Sequence, residues 1–174
     1  MPWRPSRRLR PPVSPDAIVV PANNGRLAAA DIFALMADAE PWQPQPAPRT
    51  PMAFARTGEW VFKSNLTWRD ADPERAHGRA VQMVELNAGL RIWHPDKTWF
   101  VLRDRRRYLV CNATPTLVLP AGLRRVQSFW QMRRLSRAAA AQGFRLDVRT
   151  YNFGFDRRWW RLYYLDDEVY RLGK

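Results

Sequence analysis

Apolar residues recur along this chain at two different spacings. Helical spacing predicts three helices, over residues 28–39, 72–90 and 123–142. Pro73 suits the first turn of the second helix, and Gly89 is a plausible cap at its end. The third helix is basic and amphipathic.

Short apolar runs bounded by turn residues predict strands between and after these helices. The order hairpin, helix, hairpin, helix, hairpin predicts a fold of the α+β class. The predicted elements are a strand at 17–21, hairpins around Thr57-Gly58 and around the charged turn 103–107, and strands at 144–146, 151–155 and 161–165, the last two joined at Asp156-Arg157-Arg158.

Two segments do not follow this pattern. Residues 1–16 are rich in Pro and Arg and are predicted to be a disordered basic leader. Residues 40–51 hold five prolines in twelve positions, which excludes a helix or a central strand and predicts a linker or an extended clip. The predicted division is a leader at 1–16, a helix and linker at 17–51, and a folded domain at 52–174.

The composition is that of a folded, strongly basic protein. The formal net charge is +13, and the chain carries nine Trp residues with 46% hydrophobic residues. The charge either belongs to a solvated surface or attracts a nucleotide, an acidic protein, a lipid headgroup or nucleic acid.

The chain has one cysteine and no long apolar run. Cys111 excludes a disulfide within the chain and is predicted to be a buried core thiol. No stretch reaches the length of about 18 apolar residues that spans a bilayer. The expected location is cytoplasmic, and an Arg-rich start without acidic residues is also compatible with delivery into a host cell.

Three polar residues near the end of the chain have a distinctive order. Asp147 is followed by Asn152, then by a predicted hairpin, then by Asp166. Phosphoryl transfer from ATP needs a carboxylate that orients or deprotonates the acceptor, and an amide oxygen and a second carboxylate that hold Mg²⁺. The three residues supply these groups.

This segment resembles the catalytic loop and metal loop of the protein-kinase superfamily. The resemblance implies Asp147 as the catalytic carboxylate, with Asn152 and Asp166 as the metal ligands. Arg149 stands where many kinases carry a phosphate-contacting lysine. ATP and Mg²⁺ are the implied substrate and cofactor.

Upstream residues extend the resemblance. Lys63 ends an apolar strand, like the phosphate-anchoring lysine of kinases, and Glu85 on the next helix would be its partner. Glu74 lies three turns earlier on the same face and stays an alternative. His94-Pro95-Asp96 resembles the loop before the fourth kinase strand, and Asn112 begins the segment expected to form the hinge to adenine.

The sequence also departs from the family. Residues 36–50 contain no glycine, so the Gly-rich phosphate loop is missing, and only eight residues follow Asp166. The resemblance is therefore to minimal bacterial kinases, including effector kinases and lipopolysaccharide-kinase relatives. It implies an antiparallel sheet with one helix as an N-lobe, and one long helix with a catalytic hairpin as a reduced C-lobe.

Several alternatives remain open at this point. Asp167 could share the metal with Asp166. The group transferred to the acceptor could be AMP instead of the γ-phosphoryl group, since both transfers would use similar residues. The chain could be a pseudokinase-like interaction module, with a partner protein covering the open face of the reduced lobe. Nucleic-acid binding by paired Arg and Trp residues is a further alternative, although paired Arg beside Trp is common surface chemistry. His94 is expected to be structural and His77 exposed.

Overall fold

The computed structural model describes residues 12, 14–41, 53–122, 124–156 and 160–172, and the side chains of 41, 53, 54, 65–69 and 124 are not described. Most of the predicted leader and most of the Pro-rich segment lie outside these residues. The chain divides into two compact units. Unit 1 comprises Met1–Val84 and Asp96–Thr114, and unit 2 comprises Glu85–Pro95 and Pro115–Lys174.

The predicted α+β class is confirmed. Three α-helices are present among the described residues, and every strand pair with a described register is antiparallel. The helices are α1 (Ala29–Ala37), α2 (Pro73–Leu90) and α3 (Arg124–Ala140), each within two residues of its predicted bounds.

Unit 1 is built on a six-stranded sheet with the strand order β1-β5-β6-β4-β3-β2. The two predicted hairpins form adjacent pairs in this sheet. The hydroxyl oxygen of Thr57 accepts bonds from the backbone N–H groups of Glu59 and Trp60, which fixes the first turn. The strands are β1 (Ile18–Val19), β2 (Glu40–Pro41), β3 (Ala53–Arg56), β4 (Trp60–Asp70), β5 (Thr98–Asp104) and β6 (Arg107–Pro115).

The start of the described chain packs on the same sheet. The Asn24 side chain bonds both the N–H and the carbonyl of Trp99 on β5. Gly25 has a φ of +59°, and an added Cβ would lie 2.3 Å from the hydroxyl oxygen of Thr98, so this turn needs glycine. Ile32 and Met36 of α1 then join one apolar core with Phe62, Phe100, Leu102, Leu109 and Cys111. Cys111 is buried, as predicted.

Helix α2 begins as predicted but ends differently. The carboxylate of Asp72 accepts the N–H of Glu74, which caps the helix ahead of Pro73. Gly89 lies inside the helix, which continues to Leu90. The left-handed residue that ends the helix is Arg91, with φ +52°, so the predicted glycine cap was wrong.

Among its described residues, unit 2 contains the end of α2, the helix α3 and four short strands. Gly143 follows α3 with φ +83° and closes the helix as predicted. The predicted strand at 151–155 is shorter than expected, because Thr150–Asn152 form a 3-10 turn. The strands are β7 (Phe144–Arg145), β8 (Phe153–Phe155), β9 (Leu162–Tyr164) and β10 (Tyr170–Arg171), paired as β7 with β10 and β8 with β9.

In the part of the chain that the structure describes, no helix combines the length and the apolar character needed to cross a membrane.

Candidate functional site

The β8–β9 hairpin brings two of the predicted residues to one end of unit 2. Phe153 pairs with Tyr164, so Asn152 just precedes one strand and Asp166 follows the other by two residues. The N–H of Leu165 donates to the carbonyl of Asn152 at 2.7 Å, which extends the ladder beyond the strands. Asn152 and Asp166 are therefore held at the same end of one hairpin.

Asn152 connects this hairpin to the predicted catalytic loop. Its side chain is buried, and Nδ2 donates to the carbonyl oxygen of Asp147 at 3.1 Å. A buried amide with its N–H engaged has a fixed orientation. The side-chain oxygen, Oδ1, is the atom left to serve as a ligand.

Asp166 has a carboxylate held by the backbone. Its Oδ1 accepts the N–H groups of Asp167 at 2.7 Å and Glu168 at 3.3 Å, and its carbonyl accepts from Trp93 Nε1 at 2.7 Å. Burial raises the pKa of Asp166 above its usual value, although the two backbone bonds act in the opposite direction. Asp167, the alternative ligand, is more deeply buried, at 2% exposure.

Tyr164 is a connecting residue that the sequence did not reveal. Its Oη accepts the N–H of Asp147 at 3.1 Å and donates to the carbonyl of Glu168 at 3.1 Å. Burial, followed by the negative charge of Asp166, raises the pKa of Tyr164 well above its usual value, so the hydroxyl stays protonated. One side chain thus ties the segment of Asp147 to the segment of Asp166.

Asp147 has a partly exposed carboxylate that is paired with the guanidinium of Arg149. The guanidinium Nε of Arg149 lies 3.3 Å from its Oδ1, and the two side chains are 65% and 33% exposed. Arg149 Nη1 also donates to the hydroxyl of Tyr151 at 2.6 Å. Two of the predicted residues therefore contact each other directly on the surface of unit 2.

The loop that contains Ile92 and His94 is buried and contacts the β8–β9 hairpin. The carbonyl of Ile92 accepts the N–H of Tyr164 at 2.9 Å. His94 is buried, its Nε2 lies 3.7 Å from a carboxylate oxygen of Asp156, and its ring packs 4.8 Å from that of Tyr163. These contacts give His94 the structural place that was expected.

Lys63 and Asn112 belong to unit 1. Lys63 lies on β4 opposite Ala53, with a half-buried side chain. Asn112 is buried on β6, and its Oδ1 accepts the hydroxyl of Thr114 at 2.8 Å. The segment expected to be a hinge is thus the end of a strand that runs to Pro115, and the chain passes from unit 1 to unit 2 after Thr114.

Glu85 is exposed on α2. The helix buries Ala76, Ala80 and Met83, and at about 100° per residue Glu85 projects from the opposite side. Glu74 shares that exposed side. Within the described residues Glu85 forms no salt bridge, and its pairing with Lys63 stays a prediction.

The side-chain oxygens of Asn152 and Asp166 suit a metal ion that is also bound by the phosphates of a nucleotide. The described residues contain no group of three or more His, Cys, Asp or Glu placed to hold a metal ion. Mg²⁺ commonly takes one or two protein oxygens, with phosphates and water completing the octahedron. Asn152 Oδ1 and Asp166 Oδ2 are oxygen atoms of the type that such a metal takes from a protein.

Comparisons with protein-family models, with curated proteins and with solved structures found no match for this chain.

Proposed function

We propose that this chain is a minimal kinase-like phosphotransferase that moves the γ-phosphoryl group of ATP, with Mg²⁺, to a hydroxyl of a protein or small molecule. The observation that carries the proposal is the network in unit 2. Asp147, Asn152 and Asp166 follow the kinase order in sequence and are linked at one end of the β8–β9 hairpin through Tyr164 and backbone bonds.

The proposed roles follow from the chemistry and the exposure of each group. Asp147, at the surface, would orient the acceptor hydroxyl and take its proton as the acceptor oxygen attacks the γ-phosphorus. The bond between that phosphorus and the β,γ-bridging oxygen breaks, and ADP leaves. Asn152 Oδ1 and Asp166 would hold Mg²⁺, which neutralises the charge on the phosphate oxygens.

The remaining predicted residues have supporting roles in this proposal. Lys63 would contact the phosphates and Glu85 would orient Lys63, as the resemblance implies. Arg149 is exposed beside Asp147, where a guanidinium could bind a phosphate oxygen of ATP. Asn112 would contact the adenine, as the resemblance implies.

A non-catalytic module is the second candidate, and two observations favour it. The Asp147 carboxylate is occupied by Arg149 at 3.3 Å. Glu85 is exposed on the side of α2 opposite the buried stripe. A pseudokinase-like protein that binds nucleotide without transferring phosphate, and binds a partner protein at its open face, would keep the same fold.

The proposal also includes a cytoplasmic location, where ATP and reduced thiols are available. Cys111 is buried and is the one cysteine of the sequence, which fits a reducing compartment.

The test separates binding from chemistry with one isosteric substitution. Asp147→Asn keeps the shape and the backbone bonds of residue 147 but removes the base. We expect ATP with Mg²⁺ to raise the thermal transition of both proteins by similar amounts. ADP release from ATP should fall about 100-fold or more in the variant, because general-base and acceptor-orienting effects are of that size.

Each outcome decides between the candidates. Stabilisation by ATP without any ADP release from the unsubstituted protein supports the non-catalytic module. No stabilisation by ATP at any Mg²⁺ concentration contradicts both nucleotide-dependent candidates. Tight nucleic-acid binding with a steep salt dependence and no ATP binding would favour the nucleic-acid alternative.

A further inference from the structure

One face of α3 exposes apolar side chains that the proposed function does not use. Val126, Phe129 and Trp130 are exposed by 65%, 53% and 68%. They occupy neighbouring positions within little more than one helical turn. Single exposed apolar residues are ordinary, but adjacent large ones form a patch of the kind that marks a contact surface.

Arginines continue the same face along the helix. Positions three, four, seven and eleven residues apart lie on one side of a helix. The opposite side of α3 carries the buried residues Ser128, Met132 and Ala139 and faces the rest of unit 2. The exposed residues, which we call the arginine–aromatic face, are Val126, Phe129, Trp130, Arg133, Arg134 and Arg137.

The rings and guanidinium groups of this face are in contact. The Phe129 and Trp130 rings meet edge to face with centroids 6.3 Å apart, and the Arg133 guanidinium lies 5.3 Å from the Phe129 centroid. Gln131 on α3 bonds the carbonyl of Trp160 at 3.4 Å, which places a second half-exposed Trp beside the helix. Phe129 therefore contacts both Trp130 and Arg133 within this face.

The positive charge of α3 favours an anionic binding partner. Between Arg124 and Ala140 the sequence holds five arginines and no acidic residue. The apolar half of the face excludes a purely electrostatic partner, because exposed Val and Phe side chains gain nothing from phosphates alone. The occupant must offer both negative charge and an apolar layer.

We propose that the arginine–aromatic face binds the surface of an anionic lipid bilayer. A bilayer accepts a convex helix face, whereas a protein partner would need a matching groove. Trp and Phe rings enter the boundary between headgroups and acyl chains, and long arginine side chains keep their charge among the headgroups. Nucleic acid would use the arginines and the rings but has no layer for Val126.

Sedimentation with lipid vesicles tests the proposal on the full chain. The probe is a phosphatidylcholine vesicle with about a third phosphatidylserine, compared with pure phosphatidylcholine. We expect binding to the anionic vesicle that weakens as salt is added, and far weaker binding to the neutral one. Arg133→Gln/Arg134→Gln/Arg137→Gln should weaken the partition on the order of 100-fold, since each surface arginine contributes about fivefold.

Matched variants separate the face from the net charge. Arg103→Gln/Arg106→Gln/Arg107→Gln removes the same charge from an exposed turn of unit 1 and should retain most of the binding. Phe129→Ala/Trp130→Ala should lose about tenfold or more, and Trp130→Phe much less. The thermal transition of each variant shows that it is folded.

Three results would overturn the proposal. The first is equal binding to neutral and anionic vesicles. The second is an equal loss in the two arginine triple variants, which would make the effect one of net charge alone. The third is nucleic-acid binding that depends on Phe129, Trp130 and the α3 arginines while vesicles bind nothing. ATP binding is measured separately, so failure here leaves the phosphotransfer proposal untouched.

Discussion

The carboxyl group of Asp166 combines burial with two backbone donors, and these act in opposite directions on its ionisation. Burial is the larger effect and raises the pKa above the ordinary value of 3.8. A carboxyl whose pKa is higher in the folded state destabilises that state as the pH rises from its unfolded pKa to its folded pKa. Above that range the full cost of ionising Asp166 remains.

Asp166→Asn removes this cost while keeping an Oδ1 that accepts both N–H groups. At neutral pH we expect a thermal transition higher by about 1–2 °C, a fraction of 1 kcal/mol for a chain of this size. The difference should shrink as the pH falls through this range and disappear below about pH 3, where the carboxyl is protonated in both states. With ATP and Mg²⁺ the unsubstituted protein should have the higher thermal transition, because a charged carboxylate binds Mg²⁺ more strongly than a neutral amide oxygen.

Scanning calorimetry across pH measures this directly. Glu59→Gln, at an exposed turn residue, provides a control that should show neither the gain nor the reversal. A lower transition for Asp166→Asn at neutral pH would mean that the backbone donors outweigh burial.

Single residues also show what the sequence could and could not reveal. The order of Asp147, Asn152 and Asp166 was visible, and the structure brings all three into unit 2. Tyr164 was not recognised, because a buried tyrosine in a strand looks like core and its hydroxyl partners are 17 and four residues away. The exposure of Glu85 could have been predicted from the apolar stripe of Ala76, Ala80 and Met83.

His77 differs from its expected exposure. It is half-buried on α2, and its Nδ1 is buried without a hydrogen-bond partner among the described residues. The pattern predicted a solvated position because His77 lies between charged residues along the sequence. It nevertheless follows Ala76, the first buried residue of the helix.

The β8–β9 hairpin is the element on which the candidate site depends. Val118 forms a bridge to Phe155, so a preceding segment of chain packs along β8. A Cβ on Gly154 would lie 2.6 Å from Cβ of Leu117, which is too close for any rotamer change to relieve. Gly154 therefore permits the close approach of these two segments.

Gly154→Ala should destabilise the protein by about 1–3 kcal/mol, because the strand or the 117–118 segment must move apart. We also expect weaker ATP binding, since Asn152 lies two residues before the substitution. Gly58→Ala is the matched control, with open space around the added carbon and an expected change within about 0.5 kcal/mol. Equal denaturation midpoints for the two variants would contradict the packing argument.

Elements were predicted better than their ends. The bounds of the three helices agree within two residues because apolar periodicity is a strong signal over long segments. The end of α2 was wrong because Arg91, not glycine, takes the left-handed conformation. The start of β8 was wrong because a 3-10 turn at Thr150–Asn152 carries the same polar–apolar pattern as a strand.

At the scale of the molecule, charge is the dominant feature. The formal net charge is +13, and the excess positive side chains repel one another in the folded state. The Arg–Glu and Arg–Asp pairs at Arg56, Arg75 and Arg79 are exposed or partly exposed and span 3.6–3.9 Å, so they contribute little. Added salt should therefore screen more repulsion than attraction.

Sodium chloride should raise the thermal transition by about 2–5 °C between very low ionic strength and about 0.3 M, where the Debye length is near 6 Å. Arg103→Gln/Arg106→Gln/Arg107→Gln, with three fewer positive charges, should show a smaller rise. A transition that falls with salt would indicate that ion pairs dominate.

The whole fold was predicted as a class and an order of elements. The partner of α1 was not predictable, because Ile32 and Met36 give a face but not the surface it covers. The structure packs that face with Phe62 and Phe100 of the sheet in unit 1. The local pattern of apolar residues shows which face of an element is buried. It does not show which element packs on that face, because the contacting residues are far apart in the sequence.

The loop at 91–95 has a consequence for synthesis on the ribosome. Its Ile92 and Trp93 bond to Tyr164 and Asp166, and the Trp93 partner comes 73 residues later. At about 5–20 residues per second, translation leaves these apolar side chains without their partners for about 4–15 seconds. During that interval the nascent chain exposes an apolar loop, and transiently exposed apolar surface of this kind favours aggregation.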